Sequence, residues 1–345
     1  MTGWIEIDGA KGEGGGQVLR SCLALSIISG TPVHIRRVRA GRRRPGLMRQ
    51  HLTALRAAAA VGAAHVEGDE LGSTDVRFEP HTIVAGHHRF AVGTAGSCTL
   101  VLQTIMWPLL LADAPSQVRV EGGTHNPMAP PFDFLARTLL PRLHALGFDL
   151  ELSLARPGFY PAGGGAIEAT LRPSPKRTPA EWTEREPVGD HHAEAWLSRL
   201  PAKIAKRELT VVHEQLRWPQ SRLYTKQVEA DGPGNVLLLY ATHGPWTTVV
   251  SAMGEKGRPA EDVAAGAVDE YRRFSHADVP VDEHLADQLL IPLALSGGGR
   301  FRTLAPTLHT RTNAEIVERF LPVSISLREL DDAWEVAVEP RAAAS

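Results

Sequence analysis

Apolar and polar positions along the chain follow two periods, and the order of those periods recurs. Residues 4–8 alternate like a strand. A glycine-rich loop leads into the run 18–28, an apolar helix that Gly30 ends. A strand over 33–38, a polar loop over 39–46 and a helix over 47–61 complete this first unit. The succession returns as a strand over 89–92, a small-residue loop over 93–97 and an apolar helix over 100–111. A strand over 118–121, a polar loop over 122–127 and a helix over 132–146 follow. A third copy opens with a strand over 166–171. Its helix (284–295), strand (300–304), polar loop (307–313) and closing helix (314–321) come only after a long interval.

Spacing agrees with an insertion. Pro45 and Pro127 lie about 80 residues apart in their polar loops, Pro127 and Asn313 about 190. The proline-rich run 173–179 breaks the pattern. Residues 181–277 then carry strands of their own (209–213, 236–242, 247–252) and a helix (260–274). The pattern predicts an α/β fold of the α+β type. Its main domain spans 1–180 plus 278–345, with a small α/β domain, 181–277, inserted into the third copy.

Composition narrows the setting. A net charge of −2 gives no global nucleic-acid signature, so any polyanion site must be a local patch. Cys22 and Cys98 fall inside apolar helical runs and read as buried thiols. The chain has no apolar run of membrane length, and its opening residues, Met1 to Trp4, read as no signal peptide, so a cytoplasmic protein is expected. The 15 histidines are scattered without zinc-site spacing.

The loops hold the candidate chemistry. Arg39, Arg42, Arg43 and Arg44 precede a helix that Pro45 helps start, and guanidinium forks at a helix N-terminus suit phosphate. A solvated basic turn is the plainer alternative. Arg20 and Gln50, on the adjoining helices, could join such a site. Glu13, a single carboxylate among glycines, suits either a divalent metal or a helix cap. Gln103, Asp287 and Gln288 interrupt apolar helices, which demands specific partners for them. Thr312 and Glu315 read as a capping box, which puts His309 just before a helix N-terminus, beside Arg311. That positive field favours an anion and keeps the imidazole neutral near pH 7. Locally, His309 is either a nucleophile for phosphoryl or nucleotidyl transfer or a histidine that orders the turn. If the units are related, their polar loops converge, bringing His309, His125 and the arginines to one place.

Seven stretches, spanning nearly the whole chain in order, carry a family resemblance: GAKGEGGGQVLRS (9–21), RAGRRRPGLMRQHLTAL (39–55), GTAGSCTLVLQT (93–104), GGTHNPMAPPFDF (122–134), GFYPAGGG (158–165), EHLADQLLIPLALSG (283–297) and HTRTNAEIVERFLPV (309–323). The chain resembles the RNA 3′-terminal phosphate cyclases; residues 181–277 match loosely. The resemblance implies three units like the C-terminal domain of translation initiation factor 3, with a thioredoxin-like insert. It also implies ATP-dependent conversion of an RNA 3′-phosphate to a 2′,3′-cyclic phosphodiester, through a covalent histidine–AMP and an RNA-adenylate. His309 takes the nucleophile's place and Glu13 that of the ligand to a divalent metal, magnesium or manganese. Arg20, Arg39, Arg42 and Gln50 take the places that hold the RNA phosphate. Gln103, Pro130 or Pro131, and the segment His284, Leu285, Ala286, Asp287 and Gln288 take those that hold the nucleotide. Two positions depart from the family pattern: His284 stands where an aromatic residue is common, and Thr310-Arg311 replaces apolar residues. A silent branch that assists ribosome assembly lacks the nucleophile, so His309 favours the active branch. An RNA-binding or ribosome-assembly protein without catalysis is the first alternative, and an enolpyruvyl transferase with related repeats the second.

Overall fold

The computed structural model describes residues 3–341. Met1 and Thr2, included in the signal-peptide reading, and residues 342–345 of the expected main domain lie outside the described residues.

Three four-stranded sheets are built to one plan. In the first, β1 (Ile5–Asp8) pairs parallel with β2 (Val33–Arg36) through the crossover helix α1 (Gly16–Ser29), which Gly30 closes at φ 65°. After α2 (Arg49–Val61), the antiparallel pair β3 (His65–Glu67) and β4 (Asp75–Glu79) returns to β2, giving the order β1-β2-β4-β3. The second sheet has β5 (His87–Ala91), α3 (Cys98–Leu109) and β6 (Ser116–Gly122). A π-helical turn, Phe134–Leu139, then continues into α4 (Leu140–Ala145), followed by β7 (Asp149–Arg156) and β8 (Gly165–Arg172). Its order is β5-β6-β8-β7. The third sheet opens with β9 (Ala180–Trp182), and the chain then leaves it. That excursion forms β10 (Val188–Ser198), α5 (Lys203–Leu216), β11 (Leu223–Gln227), β12 (Gly234–His243), β13 (Trp246–Met253) and α6 (Ala260–His276), with strand order β11-β10-β12-β13. Helices α7 (Glu283–Gln288) and α8 (Leu290–Leu295) bring the chain back to β14 (Gly299–Thr303), which pairs parallel with β9. Helix α9 (Leu308–Phe320) and the pair β15 (Val323–Glu329) and β16 (Trp334–Pro340) finish the sheet.

Several expectations change here. The strand over 166–171 belongs to the second sheet, where it pairs with β6 and β7; the third sheet starts at β9 instead. Glu181 and Trp182, expected in the inserted segment, are part of β9 and pair with β14. The apolar run 209–213 is helical, because buried Ala205, Leu209 and Val212 repeat at helical spacing along α5. The helix expected over 284–295 breaks at Leu289, since Pro292 cannot donate to the carbonyl one turn back. Pro141 likewise coincides with the switch from π to α geometry.

One hydrophobic core joins the three sheets, and α1 lies at its centre against α2, α3 and α9. The β10–β13 sheet packs one face on α5 and α6 and turns the other, through Trp196, Leu238 and Tyr240, to Phe159. At that junction Arg142 is buried between two indoles, its guanidinium carbon 4.7 Å from the Trp182 ring centre and 3.9 Å from that of Trp246, while Nη2 donates to the Pro280 carbonyl at 2.9 Å. Among the described residues no helix is long and apolar enough to cross a membrane.

Candidate active site

Helix α1 is buried on nearly every side, so its polar residues must find partners inside the protein. Ser21 Oγ donates to Asn313 Oδ1 of α9 at 2.7 Å. Gln17 is shared between two groups. Its amide NH₂ donates to Asp287 Oδ2 of α7, and its Oε1 faces His309 Nδ1 at 3.0 Å. Gln288 Nε2 donates to the other Asp287 oxygen at 2.9 Å, and Gln103 Nε2 donates to Gln288 Oε1. The isolated polar residues of three apolar helices thus form one network. It borders a cleft of about 50 Å³ lined by Gln17, Arg20, Gln103, Asp287, Gln288 and Asn313.

His309 sits one turn further into its helix than expected. Thr307, not Thr312, caps α9, its hydroxyl accepting the Thr310 N–H at 3.2 Å, so His309 lies within the first turn. With Gln17 Oε1 as acceptor, Nδ1 carries the proton and Nε2 keeps its lone pair. Nε2 points toward Glu13, 3.9 Å from Oε1. The His309 pKa lies below the ordinary histidine value. Burial is the main cause, opposed by Asp287 and reinforced by Arg42 and Arg20. Neutrality was expected, but from the helix field; desolvation is its principal source.

The glycine loop brings Glu13 under the histidine. Glu13 accepts the Gly15 N–H at 2.7 Å and ion-pairs with Arg42, while its own N–H donates to Thr312 Oγ1 at 2.9 Å. A Cβ on Gly15 would overlap the Glu13 carboxylate, and one on Gly16 would come within 2.6 Å of His51 Nε2. His51 was not singled out from the sequence. It is held among Arg39, Arg20 and Arg42, and burial followed by those charges pushes its pKa down to about 3, so the ring is neutral. Arg39 and Arg42 lie 12 and 9 residues before His51 in the sequence, but only the fold buries the ring and brings Arg20 to it. Burial also lowers the Arg20 guanidinium to about 10, against the pull of Asp287. Arg39 spends Nη1 on the carbonyls of Arg44 and Gly46, at 2.9 and 2.7 Å, and so shapes the loop. Gln50 Oε1 accepts the Ser97 N–H at 2.6 Å, which joins this loop to the start of α3.

Other expected residues have partners of their own. His125 is buried between Thr124 Oγ1 at 2.8 Å and Asp133 Oδ2 at 2.9 Å and stacks on Phe159, so both its ring nitrogens are taken up away from His309 and the arginines. Arg311 turns away and lies over Trp334 at 5.1 Å. Leu285 and Ala286 point into the core, and the side chain of His284 pairs with Glu270 of α6 at 3.3 Å. Pro130 accepts Thr99 Oγ1 at 2.8 Å, one helical turn from Gln103, while Pro131 is buried. Among the described residues no three acidic, histidine or cysteine side chains cluster as a metal cage. Glu13, whose oxygens meet Arg42 and the Gly15 N–H, could serve only as the lone carboxylate of an ion that arrives with phosphates and keeps its waters.

Comparison with known proteins decides the family. The family model described as RNA 3′-terminal phosphate cyclase matches residues 11–327. The chain belongs to the RNA 3′-terminal phosphate cyclase family. A cyclase from Ralstonia nicotianae is 48% identical over 337 residues, covering 97% of this chain and 96% of the relative. One from Koribacter versatilis is 47% identical over 338 residues, covering 98% and 95%. A solved enolpyruvyl transferase, NikO from Streptomyces tendae, aligns at 12% identity over 99% of this chain and 66% of that one. Its TM-score of 0.27 carries no argument about the fold.

Proposed function

We propose that this cyclase-family chain, in the cytoplasm, converts the 3′-terminal phosphate of an RNA into a 2′,3′-cyclic phosphodiester, using ATP and a magnesium or manganese ion. The observation that carries the reading is the chain of contacts Asp287–Gln17–His309, which leaves Nε2 unprotonated beside Glu13. Nε2 attacks the α-phosphorus of ATP. A bond forms from nitrogen to phosphorus and the bond to the pyrophosphate oxygen breaks, giving a histidine–AMP and pyrophosphate. Glu13 would hold the metal, which offsets charge on the triphosphate when bound. Gln103, Asp287 and Gln288, which border the cleft, would hold the nucleotide, with Pro130 or Pro131 of the segment that Thr99 fastens to α3.

Arg20, Arg39, Arg42 and Gln50, together with His51, hold the RNA phosphate while its oxygen displaces histidine from AMP. The neighbouring 2′-hydroxyl then attacks that phosphorus, loses its proton and expels AMP. The shared strand order of three sheets supports three related units like the C-terminal domain of translation initiation factor 3. The segment from β10 to α6, within the expected 181–277, is then a thioredoxin-like insert.

The test is incubation with α-labelled ATP and metal, without RNA. A protein-bound, acid-labile AMP that disappears in His309→Ala is expected. No adduct on the wild-type protein would overturn the reading in favour of a non-catalytic RNA-binding or ribosome-assembly role.

A further inference from the structure

The arginines around the polar loop 39–46 fall into two groups. Arg39 is tied to backbone carbonyls and Arg42 to Glu13, inside the site. Arg43, Arg44 and Arg49 are exposed, and among the described residues none of them has a carboxylate within ion-pair distance. Elsewhere exposed arginines commonly do have one: Arg37 pairs with Asp8, Arg89 with Glu121, Arg207 with Glu261 and Arg300 with Glu181. Three uncompensated cations on one short segment are therefore a local exception on a chain of net charge −2. They are continuous with the phosphate site, since Arg44 holds Arg39 through its carbonyl and Arg49 precedes Gln50 on α2. Met48, 41% exposed, lies within the same patch and offers an apolar surface for a base.

We propose that Arg43, Arg44 and Arg49 bind the internucleotide phosphates of the single-stranded RNA leading to the 3′ end, a tract separate from the terminal-phosphate site. This rests on the RNA reading above and adds to it a direction of approach, across the N-terminus of α2. Each backbone phosphate neutralised on a single strand contributes about 0.7 to the slope of log affinity against log salt. Three contacts therefore make binding of a long substrate steeply salt-dependent, whereas a dinucleotide 3′-phosphate reaches little of the tract.

The experiment compares cyclisation of a decamer and a dinucleotide, both ending in a 3′-phosphate, by the wild-type protein and by an Arg43→Ala, Arg44→Ala, Arg49→Ala triple variant. The decamer's advantage in kcat/KM is expected to fall about tenfold or more, and the salt slope for decamer binding to shrink by about 2. Adenylation without RNA reports that the variant is folded. The corresponding triple lysine variant keeps the charge and should retain most of the decamer preference. An unchanged decamer preference in the alanine variant, or an equal loss in the lysine variant, would overturn the tract. Failure of the wild-type protein to cyclise either substrate would instead overturn the functional reading.

Discussion

Thr312 Oγ1 accepts the backbone N–H of Glu13 at 2.9 Å, fastening the glycine loop to the helix that carries His309. Gly12 makes this approach possible, because at φ 61° a Cβ would run into the Thr312 hydroxyl. Gly12→Ala should therefore lose about 1–2 kcal/mol of stability from the left-handed backbone alone, and adenylation with it. Gly30→Ala is the control: φ is 65° there and the space is open, so stability should fall similarly while adenylation persists. Denaturant titration with the labelled-AMP assay separates the two. Normal adduct formation by Gly12→Ala would refute the role given to this contact.

Asp287 affects His309 in two ways, by orienting Gln17 and by raising the imidazole pKa. In Asp287→Asn the charge is gone, so burial and the arginines act unopposed and the His309 pKa falls further. The proposed mechanism makes the neutral ring the reactive form, so the acid limb of the adenylation rate should move to lower pH. Asp287→Ala also frees Gln17 and should lower the plateau rate by about a hundredfold. A limb moving to higher pH in Asp287→Asn would contradict the electrostatic assignment.

How much of this was legible depended on where each signal lies. The glycine loop, α1, α2 and the isolated Gln103, Asp287 and Gln288 show in the sequence because periodicity and misplaced polarity are local. β9 does not, since three residues after a proline-rich run carry no period. The run 209–213, rich in β-branched residues, imitates a strand; only its partners on α6 and β10 reveal a helix. The direction of Arg311 depends on Trp334 of β16, and the neutrality of His51 on its burial, which no local period shows.

Arg142 joins the second sheet's helix to β9 and β13 through its two indoles. Arg142→Ala removes both stacking contacts and leaves a hole between the rings, so urea denaturation should show a loss of about 3 kcal/mol. Arg142→Lys keeps the charge without the flat face and should recover less than half of it. Complete recovery would show that charge, not stacking, holds the junction.

His284 has its pKa raised to about 9, first by its hydrogen bond to Glu270. A raised value in the folded state stabilises fully below the unfolded value of 6.5, and that contribution is lost as pH climbs through 9. The Tm difference between wild type and His284→Gln should be largest at pH 6 and vanish by pH 10. A difference that stays constant across this range would rule out the ion pair as its source.

The partners of Gln17 and Glu13 lie 270 and 299 residues further along the chain. During synthesis the glycine loop therefore emerges long before Asp287, His309 and Thr312 exist. No fragment that stops before Asp287, however well its first two sheets fold, can hold His309 in the Asp287–Gln17 contact chain. On the proposed mechanism, self-adenylation therefore waits until residues 287–312 have been made and have docked on the glycine loop.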